Sequence, residues 1–118
     1  ENIELTGWVE NVGDYLASFD VFLYPSLHEA LGSTLLDAMH FGVPIVASKV
    51  DGIPDVVEDG VNGKLVPPEQ PGAIIAAIDE VLGDRRKLQA MRDGNREKAK
   101  LFDVAHMTNA YLNVYEGV

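Results

Sequence analysis

Short apolar runs bracketed by glycine or proline alternate along this chain with longer amphipathic stretches, and no hairpin turn joins one run to the next. Ile3-Glu4-Leu5-Thr6 is a brief, partly alternating run ended by Gly7. Val21-Phe22-Leu23-Tyr24 is continuous, β-prone and stopped by Pro25; being apolar on both faces, it suits a buried parallel strand. Pro44-Ile45-Val46-Ala47-Ser48 and Gly63-Lys64-Leu65-Val66 are the later runs. Between them Val12, Tyr15, Leu16 and Phe19 fall at helical spacing behind Asn11 as a cap. Leu35, Leu36, Met39 and His40 do the same before Gly42, and the apolar face places His40 at the core or its boundary. After Pro71 the period is helical throughout. Ile74, Ile75, Ile78, Val81 and Leu82 form one stripe, a charged helix follows over Asp84–Phe102, and a last one runs from Val104 to Tyr115. Strands separated by helices need crossover connections, which predicts an α/β fold: a parallel sheet with helices on its faces and right-handed crossovers. The expected strands lie near residues 3–6, 20–24, 44–48 and 63–66, with a helical C-terminal tail.

Composition removes several function classes. At 118 residues the chain supports one domain, residues 1–118, with no linker or repeat. Nineteen Asp and Glu against 9 Lys and Arg give a net charge of −10, a poor match to a nucleic-acid backbone. With no cysteine there is no disulfide framework, Cys-rich zinc site or thiol nucleophile. Three scattered His and no Asp-x-Asp predict no metal ligand set, and no cofactor is expected. No apolar run approaches the roughly 18 residues of a membrane span. The chain starts at Glu1 rather than Met and without a signal core, which reads as a processed chain or one cut from something longer. Four strands are also few for a doubly wound sheet.

In open parallel sheets, ligands bind at the carboxyl ends of the strands. The loop after Tyr24, Pro25-Ser26-Leu27-His28-Glu29-Ala30-Leu31-Gly32-Ser33-Thr34, is such a place, and it enters a helix near Gly32 or Ser33. A helix start offers free N–H groups and a positive dipole end, which suit a phosphate. Gly32 lets a ligand approach the backbone, and Ser33 and Thr34 add hydroxyls. On local chemistry alone, a plain cap at Ser33 and a plain turn at Gly32 account for the loop slightly better. Two carboxylates shift that balance. Glu29 precedes the helix and Asp37 follows eight residues later, which in a helix is about 12 Å along the axis and about 80° around it. That is too far for a pair acting on one bond, and suits the holding of hydroxyls at two ends of an extended ligand. The alternative leaves Asp37 on a solvated face and Glu29 as a loop charge.

Glu29-Ala-Leu-Gly-Ser-Thr-Leu-Leu-Asp37-Ala-Met resembles the Glu-x7-Glu motif of the retaining, GT-B-fold glycosyltransferases of family 4, the group 1 glycosyltransferases. Asp20-Val-Phe-Leu-Tyr-Pro-Ser26 resembles the family's strand before the motif, and Gly42-Val-Pro-Ile-Val-Ala-Ser48 the strand after it. Asp51-Gly52-Ile53-Pro54-Asp55 and Asn62-Gly63-Lys64-Leu65-Val66 resemble its Gly-Gly-x-Pro-Glu and Asn-Gly-x-Leu-Val segments. Four such segments in the right order are specific. The resemblance implies the Rossmann-like C-terminal domain, which binds a nucleoside diphosphate sugar. It implies Glu29 as the catalytic residue contacting hydroxyls of the transferred sugar, and N–H groups around Leu31, Gly32, Ser33 and Thr34 as receivers of the sugar and diphosphate. Asp37 would meet the ribose, and the turn Gly7-Trp8-Val9 would line the base pocket. It also implies a cytoplasmic protein, or one held at a membrane through a further N-terminal domain.

This sequence departs from the family at three places: Asp37 and Asp55 each replace a Glu, and Asp51 replaces the first of two glycines. The family's domain begins with two more βα units, whose loops carry an Arg and a Lys for the diphosphate, and nothing before Glu1 supplies them. The expectation is therefore a donor-binding piece, inactive alone, prone to pair with a second copy through an open sheet edge. The acceptor is not encoded in these residues. A non-catalytic flavodoxin-like ligand-binding module is an alternative; its receiver form would need an Asp pair after its first strand and an acceptor Asp after a central one, where Gly7 and Tyr24-Pro25 stand instead. A GT-B-fold nucleotide-sugar 2-epimerase shares the donor site, but Gly32-Ser33-Thr34 and Gly42-Val43-Pro44 fit the transferase pattern better.

Overall fold

The computed structural model describes residues 2–117. In chain order the elements are α1 (Val12–Ser18), β1 (Phe22–Tyr24), α2 (Ser33–His40), β2 (Ile45–Ser48), α3 (Ile53–Val56) and β3 (Gly63–Val66). Then come α4 (Pro71–Gly83), α5 (Arg85–Ala99), a 3-10 turn (Lys100–Phe102) and α6 (Val104–Glu116). The three strands form one parallel sheet in the order β1-β2-β3, with Phe22 opposite Ile45 and Ile45 opposite Gly63. As expected of apolar runs separated by helices, α2 carries the chain from β1 to β2 and α3 from β2 to β3.

All four residues of β2 are buried. Ile45 and Ala47 pack with Leu16, Leu35, Met39, Ile53 and Val56 from α1, α2 and α3. Val46 belongs to the other layer, with Ala77 and Val81 of α4 and Met91 of α5. Successive residues of a strand point to opposite faces, so a strand covered on both sides has no polar position to spare. Each such aliphatic side chain contributes roughly 1.5–3 kcal/mol on burial.

The sheet has three strands rather than the four expected. Residues 3–6 form no strand, and Ile3 and Leu5 are 86% and 94% exposed. A strand exists only through its ladder, and that segment pairs with nothing among the described residues. β1 pairs with β2 alone, which leaves its far edge open among the described residues. His40 also differs from expectation: it is exposed in the last turn of α2 and meets Phe41 edge-on, with 5.4 Å between ring centroids. A basic side chain there faces the negative end of the helix dipole. Asn11 does take the cap position of α1, but through its carbonyl, which accepts from the Asp14 N–H at 3.0 Å, and not through its side chain.

The tail helices start on aspartates. Asp84 accepts from the N–H groups of Arg86 and Lys87, and Asp103 from that of His106. α5 packs along the domain and buries Met91 and Asn95. Asn95 donates to the carbonyls of Val43 (2.8 Å) and Asn62 (2.9 Å) and accepts from Asn62 Nδ2 (3.1 Å). Asn62, also fully buried, donates to the Val56 carbonyl and accepts from the Glu58 N–H. On the same side, Lys87 and Lys64 reach Glu80 at 3.1 and 3.5 Å. The hydrogen bond from Lys87, helped by the charges of Lys64 and Lys87, holds the Glu80 carboxyl below its usual value of 4.5. A lowered folded pKa gives a contribution present above that value and lost as acid protonates the group; at this exposed site it is small. α6 buries none of its residues, and the molecule measures 56 × 30 × 30 Å. Among the described residues no helix is long and apolar enough to cross a membrane.

Replacing Asn95 by Ala strands the carbonyls of Val43 and Asn62 in the core, and should lower stability by about 3 kcal/mol in urea denaturation. A loss below about 1 kcal/mol would mean that water replaces the amide. The open edge of β1, with Leu23 exposed on it, should make the isolated chain self-associate at micromolar concentration. Sedimentation velocity reads this directly, and a monodisperse monomer would contradict it.

Candidate functional site

β1 ends at Tyr24, and Pro25 removes the next ladder donor. The chain then crosses the carboxyl edge of the sheet and enters α2 through Gly32. Gly32 has φ +71°, which favours glycine, and a Cβ there would also crowd the end of the Leu35 side chain, 2.8 Å from its Cδ1. Gly32 is the cap residue and Ser33 the first helical one; no side chain caps the helix by the usual bond, so the plain-cap account of Ser33 does not hold. The N–H groups of Ser33 and Thr34 meet no acceptor among the described residues.

Glu29 sits half-buried at the mouth of this helix. Its Oε2 accepts a short hydrogen bond from the Tyr24 hydroxyl, and its Oε1 accepts from the Gly32 N–H at 3.2 Å. Its own N–H donates to Asp51 Oδ2 at 3.0 Å, and its carbonyl accepts from the Gly52 N–H at 3.3 Å. Every polar group of Glu29 is therefore engaged, from three separate segments. Gly52 backs the loop so closely that a Cβ on it would run into the Ala30 carbonyl oxygen. Among the described residues no Lys or Arg forms an ion pair with Glu29, Asp37 or Asp51. Positive potential at this end thus comes from backbone N–H groups and the α2 dipole. No group of three or more His, Asp or Glu converges as a metal site among the described residues.

Of the residues singled out from sequence, Glu29, Gly32, Ser33 and Thr34 come together at the start of α2, with Leu31 half-exposed beside them. Asp37 is exposed further along the helix and makes no contact with Glu29. Val9 and Thr34 line one cavity of about 330 Å³, together with Val12, Tyr15, Leu16 and Phe22. Gly7 turns the chain at φ +63°, and Trp8 is 91% exposed; neither lines that cavity. Two participants were not singled out. Tyr24 reads in sequence as the apolar end of a strand, with nothing to say that its hydroxyl turns back five residues. Asp51 reads only as a departure from glycine, and its contact with Glu29 spans 22 residues.

The profile of the family described as "Glycosyl transferases group 1" matches residues 1–84. A 41.2 kDa protein of the cps region of Klebsiella pneumoniae is 32% identical over 98% of this chain and 33% of its own length. The O-antigen chain mannosyltransferase B of Escherichia coli is 33% identical over 93% of this chain and 30% of its own. Among solved structures, Anabaena HepE in complex with UDP superposes with a TM-score of 0.82 at 26% identity, over 88% of this chain and 29% of that one. The chain spans a third or less of the length of these curated relatives. Its parallel sheet, its helix order and the matched profile make it a member of the group 1 glycosyl transferases, carrying the Rossmann-like C-terminal part of the GT-B fold.

Proposed function

We propose that these 118 residues are the donor-binding part of a retaining family 4 glycosyltransferase, holding a nucleoside diphosphate hexose at the start of α2. The observation that carries this reading is the setting of Glu29: an acceptor-only carboxylate, oriented by Tyr24 and Gly32, beside two helix N–H groups that have no acceptor among the described residues. Hydroxyls of a sugar donate to the carboxylate, while a diphosphate meets the N–H groups. Leu31, Gly32, Ser33 and Thr34 supply that anion cradle. Asp37, a methylene shorter than the family's Glu, takes the ribose hydroxyls through a longer contact or a water. The Gly7-Trp8-Val9 turn contributes Val9 to the base cavity. In the whole enzyme the bond from sugar C1 to the diphosphate oxygen breaks, and its electron pair leaves with the nucleoside diphosphate. C1 joins an acceptor oxygen that gives up its proton, with the configuration at C1 kept. The support from relatives is chemical: HepE has been solved with UDP-glucose, and the pneumococcal O-GlcNAc transferase GtfA with UDP and GlcNAc. Acceptor recognition belongs to the remainder of the enzyme, and the 118 residues alone transfer nothing.

Titration of the chain with UDP-glucose, GDP-mannose and ADP-glucose, followed by amide NMR shifts, should move Glu29, Leu31–Thr34 and Asp37. Affinity should be weak, about 1 mM, because the diphosphate meets only backbone dipoles on a protein of net charge −10. Shifts confined to α5 and α6 would count against the assignment. In the full-length transferase, Glu29→Gln should slow donor hydrolysis by about 10–100-fold and Tyr24→Phe by about fivefold, the ordinary cost of a charged and of a neutral hydrogen bond.

A further inference from the structure

Asp51 stands in the loop between β2 and α3 with φ +44°, a left-handed conformation uncommon outside glycine, though Asp is among the residues that adopt it. It follows Val50 and precedes Gly52, whose N–H is bound to the Glu29 carbonyl. The Asp51 carboxylate accepts from the Glu29 N–H through Oδ2 at 3.0 Å. The same oxygen lies 3.5 Å from His28 Nδ1. Asp51 and Gly52 thus grip both backbone polar groups of Glu29, and do so from a segment 22 residues away. A glycine at position 51 would adopt this conformation without strain but would leave the Glu29 N–H without its acceptor. The aspartate therefore does something that its backbone geometry does not require.

We infer that Asp51 is a positioning residue for the donor site: by anchoring the Glu29 amide it fixes where the Glu29 carboxylate meets the sugar. The inference rests on the proposed role of Glu29 and adds to it the residue through which the β2–α3 loop controls that role. Asp51 itself touches no donor. It acts through the loop 28–31, whose remaining anchors are the Tyr24 hydroxyl, the Gly32 N–H and the Gly52 N–H.

The test compares Asp51→Gly, Asp51→Asn and Glu29→Gln in the full-length transferase. The readouts are hydrolysis of whichever of UDP-glucose, GDP-mannose or ADP-glucose the native enzyme turns over, hydrogen exchange of the peptide spanning residues 27–32, and Tm. Asp51→Gly should lower kcat about tenfold with a smaller change in KM, speed exchange across 27–32, and leave Tm unchanged or raised because strain is relieved. Asp51→Asn keeps an oxygen acceptor and should stay within about threefold of native turnover. A merely structural role predicts a different pattern, with Tm and turnover falling together in both variants, and that outcome would overturn the inference. Native turnover and native exchange in Asp51→Gly, with Glu29→Gln impaired, would overturn it while leaving the donor site intact. Native turnover in Glu29→Gln would remove the donor reading, and the positioning role with it.

Discussion

The paired amides of Asn62 and Asn95 hold this fold in register. Both are fully buried, one in the turn before β3 and one in the middle of α5. Between them they satisfy the carbonyls of Val43, Val56 and Asn62 and the N–H of Glu58. Those groups come from the lead-in to β2, the end of α3 and the turn before β3, three segments whose backbone polar groups would otherwise be stranded away from water. α5 reaches them only because Gly94 precedes Asn95: a Cβ at position 94 would stand 2.6 Å from the Val61 carbonyl oxygen. The helix meets the sheet's connections through these hydrogen bonds and also packs through the apolar contacts of Met91.

From this constraint follows the placement of the loops at the carboxyl edge of the sheet. β2 is fixed on both faces by packing and at its entry by Asn95, so the loop that leaves it, carrying Asp51 and Gly52, starts from a fixed point. That loop in turn grips Glu29, and β1, registered on β2 from Phe22 to Tyr24, presents the Tyr24 hydroxyl to the same carboxylate. The order of dependence runs from buried amide pair to central strand to loop to carboxylate.

Sequence reasoning succeeds where a segment's structure is written in its own composition. The strands lie within the runs at 20–24, 44–48 and 63–66; of these only β2 is buried throughout and apolar for that reason, while β1 keeps Leu23 exposed, and the stripe after Pro71 is a helix because its period is its own. It fails where structure is a relation between distant residues. Ile3 and Leu5 alternate like a strand but have no partner ladder, and their side chains lie in solvent. Asn95 sits among charged residues and looks like one more solvated position, although it is the polar centre of the core. Glu29 and Gly32 were legible because a glycine-led helix start with a nearby carboxylate is a local pattern. Tyr24 and Asp51 were not, since nothing in either residue's neighbourhood says that it points at Glu29.

In the proposed donor reading, a protein of net charge −10 receives an anion on backbone dipoles rather than on cationic side chains. A helix N-terminus with unmet N–H groups attracts any nearby carboxylate, and Glu29 already supplies one to Gly32. That contact satisfies a donor that a diphosphate would otherwise claim, while the Ser33 and Thr34 N–H groups stay open to solvent. In the proposed reading, a diphosphate entering here would meet a partly neutralised dipole, and the loop would contribute direction more than affinity. Hydrogen bonds from fixed backbone groups would set where the donor sits, and long-range positive charge, which needs no fixed geometry, how tightly it is held.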